Sequence, residues 1–150
     1  MKKILLLGAS GSIGKQTLDI IRNNPNDFIL VGVSVGKNIE VLKEILNEFK
    51  SIKYAYAIDP HEIANLTKIY PNINFYYGEY GLSHITIDCE FDMMVNALVG
   101  FSGLVPTVNA LNKDKIVALA NKESLVVGGK LINDILKTKG KIYPIDSEHA

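Results

Sequence analysis

Residues 8–14 read Gly8-Ala9-Ser10-Gly11-Ser12-Ile13-Gly14, directly after the apolar run Ile4-Leu5-Leu6-Leu7 and directly before Lys15-Gln16-Thr17-Leu18-Asp19-Ile20-Ile21. A buried strand that turns tightly into an amphipathic helix is the context in which a glycine spacing becomes a phosphate site. The three glycines have separable tasks. Gly8 lets the chain reverse, Gly11 leaves bare backbone for a pyrophosphate, and Gly14 lets the helix lie close to the sheet. The unpaired amides of the new helix, with its dipole, then face the anion. Ser10 stands where the commonest fingerprint has a second glycine, so the spacing is GxxGxxG, and a glycine turn of this kind also joins strand to helix where no ligand binds.

Outward from the turn, strands and helices alternate. Phe28 to Val35 reads as a second buried strand, Ile39 to Phe49 as a covering helix, and Tyr54 to Ile58 as a third strand. Asp59-Pro60 opens a helix to about Tyr70, Asn74 to Tyr77 is a short strand, and Glu79 to Ile87 a short helix. Phe91 to Leu98 is the fifth strand, followed by Gly100 to Gly103 and a helix through Leu111 with Pro106 in its first turn. Lys115 to Ala120 is a sixth strand, Leu125 to Lys137 a helix, and Lys141 to Ile145 the last strand. The expected fold is α/β, a doubly wound, mostly parallel sheet with helices on both faces. In such a sheet ligands sit beyond the carboxyl ends of the strands.

Composition narrows the functions. At 150 residues and 47% hydrophobic content the chain suits one domain with a full core. Sixteen basic and 16 acidic residues leave no strong basic field, so no nucleic-acid partner is expected. Cys89, the one cysteine, has no partner for a disulfide and no metal-ligand spacing, which points to a reducing, cytoplasmic compartment and an inert thiol. Met1-Lys2-Lys3 precedes only four apolar residues, too few for a signal peptide, and no stretch approaches a membrane span.

Three further stretches carry chemistry. An NAD site usually has an acid at the tip of the second strand; here that tip reads Ser34-Val35-Gly36-Lys37-Asn38, and the first acid, Glu40, is already inside the next helix. With no carboxylate to repel a 2'-phosphate and Lys37 free to pair with one, NADP is favoured, while a solvated lysine beside an Asn38 N-cap fits the same residues. Asn121-Lys122-Glu123-Ser124 follows the sixth strand. Asn121 suits an N-cap and Glu123 the helix dipole, but a cation at Lys122 opposes that dipole by up to about 1 kcal/mol, which makes sense beside an anionic ligand. Asp146-Ser147-Glu148 follows the last strand; two carboxylates two residues apart project to one side of extended chain and suit Mg2+ or Mn2+, though a solvated acidic tail has the same pattern.

Together these stretches resemble the 1-deoxy-D-xylulose 5-phosphate reductoisomerase family, in order and over essentially the whole chain. The matching residues are Gly8 to Gly14, Gly36-Lys37-Asn38, Asn96-Ala97 with Val99-Gly100 and Gly103-Leu104, Ala118 to Leu125, and Pro144 to His149. The resemblance implies a Rossmann-like fold and an enzyme that rearranges a sugar phosphate skeleton and reduces the product with NADPH, using Mg2+ or Mn2+. Carried over by position, it implies that Ser10, Gly11, Ser12, Ile13, Gly36, Lys37, Asn38, Asn121 and Glu123 contact NADPH. It implies Lys122, Ser147 and Glu148 as substrate contacts, Lys122 and Glu148 as catalytic residues, and Asp146 and Glu148 as metal ligands; His149 is a substrate or neighbouring contact, not the general base.

By the same resemblance, residues 1–143 form the NADPH domain and 144–150 begin a catalytic domain that continues beyond residue 150 in the family. The full-length chain is expected as a homodimer, and the 150-residue chain is expected to bind cofactor weakly and to turn nothing over. Two other readings stay open on the residues alone. One is a metal-independent NADP dehydrogenase; the other is a noncatalytic nucleotide-binding module.

Overall fold

The alternating direction of side chains along the first strand sets the two sides of the sheet. In the computed structural model, which describes residues 1–119 and 140–144, β1 (Lys2–Leu7) sends Ile4 and Leu6 into one core and Leu5 and Leu7 into the other. An uninterrupted apolar run is what a central parallel strand needs, because both of its faces are covered. The glycine turn then leads into α1 (Ser12–Asn23), and β2 (Phe28–Ser34), α2 (Ile39–Glu48), β3 (Tyr54–Tyr56), α3 (Pro60–Ile69) and β4 (Asn74–Tyr76) follow. After α4 (Gly81–Asp88) come β5 (Met93–Asn96), a short 3-10 turn over Gly100–Gly103, α5 (Leu104–Asn112), β6 (Ile116–Leu119) and β7 (Lys141–Pro144).

All the strand pairings described are parallel, in the order β4-β3-β2-β1-β5-β6-β7. The chain winds outward from β1 to β4, returns to the other side of β1 and winds outward again. Parallel crossovers share one hand, so reversing the direction of winding moves the helices to the opposite face. The cores follow that rule. Leu18 and Ile21 of α1, Leu42 and Ile45 of α2, and Ile63 and Leu66 of α3 belong to the core that contains Ile4 and Leu6. Ile85 of α4 and Ala110 and Leu111 of α5 pack with Leu5 and Leu7 on the other side.

The expected caps are present. The Asn38 side chain accepts the Val41 N–H at 3.3 Å, and the Asp59 carboxylate accepts the His61 N–H at 2.8 Å with Pro60 in the first turn. Several strands stop earlier than their apolar patterns suggest. β5 is the clearest case: Ala97 N–H still reaches Leu7 O, but the Leu98 N–H is taken by the Asn96 side chain at 3.2 Å. Capture of a backbone donor by a local side chain ends a ladder that hydrophobicity alone would have extended.

Across the sheet from the strand ends, Lys113 holds the last turn of α4. Its ammonium donates to Thr86 O at 2.9 Å, Ile87 O at 3.0 Å and Cys89 O at 2.8 Å, and lies 4.6 Å from the centre of the Phe91 ring. A cation there satisfies orphan carbonyls and complements the negative end of the helix dipole. Among the described residues, no helix is long and apolar enough to cross a membrane.

Candidate functional site

The carboxyl edge of the sheet is one register row. Leu7 pairs with Asn96, Asn96 with Leu119, and Leu119 with Pro144, so β1, β5, β6 and β7 end level with one another. At the usual strand spacing the row spans about 14 Å. The order reverses between β1 and β5, and a crevice opens there because the loops leaving the two strands diverge to opposite faces.

A cavity of about 370 Å3 occupies this crevice, with the glycine turn as one wall and the β5 loop as the other. Gly8, Ser10 and Gly11 come from the turn, Ser34 and Gly36 from the end of β2, and Ala97, Leu98 and Val99 from the end of β5. Gly8 has φ +82°, and a Cβ on it would lie 2.8 Å from the Ala97 carbonyl carbon and oxygen. Only glycine fits such a conformation and such an approach. A Cβ on Gly14 would meet Gly8 O at 2.4 Å and Ala9 Cα at 2.6 Å, so α1 starts in contact with the backbone of the turn. Gly11 differs: a Cβ there would have only Gly8 O within 4 Å, at 3.9 Å. Its space is open, as a backbone reserved for a ligand requires.

The start of α1 carries neither a side-chain cap nor an acidic residue in its first turn. Its first N–H groups therefore keep their hydrogen-bonding capacity and partial positive charge, a suitable receptor for phosphate oxygens. Ser12 is exposed, while Ile13 is buried in the domain and has only its main chain to offer a ligand. Gly36 lines the cavity; Lys37 is exposed beside it, and the Asn38 side-chain oxygen caps α2. Asn121, Lys122, Glu123, Asp146, Ser147, Glu148 and His149 lie outside the described residues. Among the described residues, no three His, Cys, Asp or Glu side chains group as a metal site.

The structure adds roles that local patterns did not assign. Ser34, 1% exposed, accepts the Gly8 N–H on its hydroxyl at 3.0 Å and the Ala9 N–H on its carbonyl at 2.8 Å. The signal in the sequence was a single hydroxyl between Val33 and Val35 in an apolar strand. Asn96 is fully buried and donates to Gly103 O and Thr107 Oγ1, both at 2.9 Å, fixing the β5 loop from within. Tyr56, Ile58 and Leu82 complete an apolar side of the cavity. Burial raises the Tyr56 phenol pKa, and its hydroxyl donates to Gly78 O at 2.7 Å. Cys89 sits in the core away from the cavity, and burial pushes its thiol up to about 12.

Comparison with known proteins finds relatives in both sequence and structure. A family model described as 1-deoxy-D-xylulose 5-phosphate reductoisomerase matches residues 4–129. Proteins of that name from Listeria innocua and Geobacillus kaustophilus are 43% and 45% identical, over 100% of this chain and 40% of their own. A crystal structure of DOX-P reductoisomerase in complex with NADPH, fosmidomycin and magnesium superposes with TM-score 0.89 at 34% identity, over 99% of this chain and 37% of that one. The chain thus spans about 40% of the length of the curated relatives it matches.

Proposed function

The chain belongs to the 1-deoxy-D-xylulose 5-phosphate reductoisomerase family, and from that premise we propose that it is the NADPH-binding portion of an enzyme that converts 1-deoxy-D-xylulose 5-phosphate to 2-C-methyl-D-erythritol 4-phosphate. The observation that carries this reading is the cavity at the strand reversal, walled by a glycine turn with open space at Gly11 and an uncapped helix beyond it. A pyrophosphate fits that cradle: bare backbone admits it, and helix amides with a favourable dipole receive it. Ser10, Gly11, Ser12 and Ile13 would hold the phosphates, with Ile13 acting through its main chain. Gly36, Lys37 and Asn38 would receive the adenosine end, Lys37 pairing with the 2'-phosphate. Asn121 and Glu123 would contact the cofactor as well.

Residues 1–143 would form this domain and 144–150 the start of the catalytic one. Asp146 and Glu148 are hard oxygen donors at a spacing suited to Mg2+ or Mn2+, and the alignment of the ends of β1, β6 and β7 supports their sharing one crevice with the cofactor. Bound there, a divalent ion supplies electrophilic stabilisation for oxygen charge developing as the skeleton rearranges. NADPH supplies the hydride that reduces the rearranged carbonyl. Lys122 and Ser147 would orient the substrate, Lys122 adding positive charge beside developing anion and Glu148 acting in catalysis from the metal site. In the full-length protein we infer a cytoplasmic homodimer.

The test is made on the full-length protein and on the 150-residue chain in parallel. The full-length protein should lose turnover of the sugar phosphate in EDTA and regain it with Mn2+ or Mg2+. The 150-residue chain should bind NADPH more tightly than NADH in a calorimeter and turn nothing over. EDTA-resistant activity would make it a metal-independent dehydrogenase, and absence of nucleotide binding would remove the cofactor site.

A further inference from the structure

Ser34 joins two features that the glycine fingerprint alone does not contain. It is the last residue of β2, it is 1% exposed, and it lines the cavity between the turn and the β5 loop. Both amides that begin the turn are spent on it, Gly8 N–H on its hydroxyl and Ala9 N–H on its carbonyl. A serine hydroxyl accepts on its lone pairs and still donates its own proton. The Ser34 hydroxyl's one hydrogen bond among the described residues is the one it accepts from Gly8, so the hydroxyl proton is available on the cavity wall to an oxygen of a ligand.

We propose that Ser34 is a positioning residue of the cofactor cavity, holding the Gly8 amide on one lone pair and donating its hydroxyl proton to an oxygen of the bound dinucleotide. The inference rests on the NADPH reading of the cavity and deepens it. The end of the second strand is where dinucleotide sites meet the adenosine ribose, and an acid there selects the unphosphorylated ribose. A neutral hydroxyl in that place keeps the tie to Gly8 and admits a phosphorylated ribose without like-charge repulsion. Ser34 and Lys37 thus act on the same end of the ligand, one by leaving charge out and the other by supplying it.

The experiment titrates NADPH and NADH into the unsubstituted chain and into Ser34→Ala, Ser34→Thr, Ser34→Cys and Ser34→Asp, with thermal unfolding of each. Ser34→Ala is expected to raise the NADPH Kd about 3- to 10-fold, the worth of one net hydrogen bond, and Ser34→Thr to restore it to within about twofold. If the alanine variant does not fold, Ser34→Cys makes the same comparison with a weak donor of similar volume. Ser34→Asp keeps an acceptor for Gly8 and should move the NADPH-to-NADH preference about tenfold or more toward NADH, an effect that a purely structural residue would not produce. If the unsubstituted chain binds NADPH and both Ser34→Ala and Ser34→Cys bind it as tightly, the role of Ser34 is overturned and the cavity reading stands. If the unsubstituted chain does not bind NADPH, the cavity reading falls and this inference with it.

Discussion

Substituting Gly11 with alanine separates binding from folding. Gly11 has φ −85° and ψ −178°, which any residue adopts, and an added Cβ has only Gly8 O within 4 Å, at 3.9 Å. Two small effects on stability oppose each other. Restricting the unfolded chain contributes about 0.4–1 kcal/mol in favour of the variant, and alanine at an N-cap costs about the same relative to glycine. The net is within about 1 kcal/mol of zero, or roughly 2–4 °C in Tm for a chain of this size. Binding responds differently, because the methyl occupies the space that a pyrophosphate would take against the turn. Overpacking of one methyl at a tight contact costs about 1–3 kcal/mol, which is roughly a 5- to 150-fold rise in the Kd for NADPH. Calorimetry for affinity and differential scanning for Tm measure both on the same sample. An unchanged Kd in Gly11→Ala, with Tm also unchanged, would refute the assignment of this backbone to a phosphate.

Gly14→Ala should behave the opposite way: its Cβ would stand 2.4 Å from Gly8 O, so α1 must move about 1 Å off the turn, and thermal scans should show about 1–3 kcal/mol of lost stability alongside weaker NADPH binding. Lys37→Ala should weaken NADPH at least about fivefold more than NADH in parallel titrations, since only the former carries the extra phosphate. Lys113→Met keeps the side chain's length but leaves the carbonyls of Thr86, Ile87 and Cys89 without their donor; urea unfolding should report a loss of about 1–3 kcal/mol, with no change in nucleotide affinity. The Cys89 thiol ionises near 9.0 in an ordinary environment and is pushed up to about 12 by burial. Its stabilising contribution is therefore intact below pH 9 and is lost as pH rises from 9 to 12, because only the unfolded chain releases the proton there. The urea midpoint of the native protein should fall over that range more steeply than that of Cys89→Ala, and thiol reagents at pH 8 should label Cys89 only when the chain unfolds.

Much of this molecule was legible before folding was considered, because the relevant signals are local. Ile4 to Leu7 reads as a strand covered on both faces, and the glycine spacing marks the turn, with Gly14 answering to Gly8 and Ala9 only a few residues away. Asn38 and Asp59 announce helix starts through side chains that reach only two or three residues ahead. The end of β5 was less legible, since its ladder stops where a competing hydrogen bond wins and not where hydrophobicity fades. Asn96 shows this: as the last residue of β5 it spends its side-chain amide on Leu98, Gly103 and Thr107.

What the sequence determined by itself, then, is the alternation of strands and helices, the phosphate-type turn after β1 and the choice of a neutral, lysine-flanked end for β2. Tertiary structure alone decided that the order reverses between β1 and β5, that β1, β6 and β7 end level, and that Ser34 grips the turn from 26 residues away. The physical reason is range. Propensity, capping and turn geometry act over one or two turns of chain, whereas register, crossover direction and the satisfaction of a buried amide depend on groups that only the packed sheet brings together.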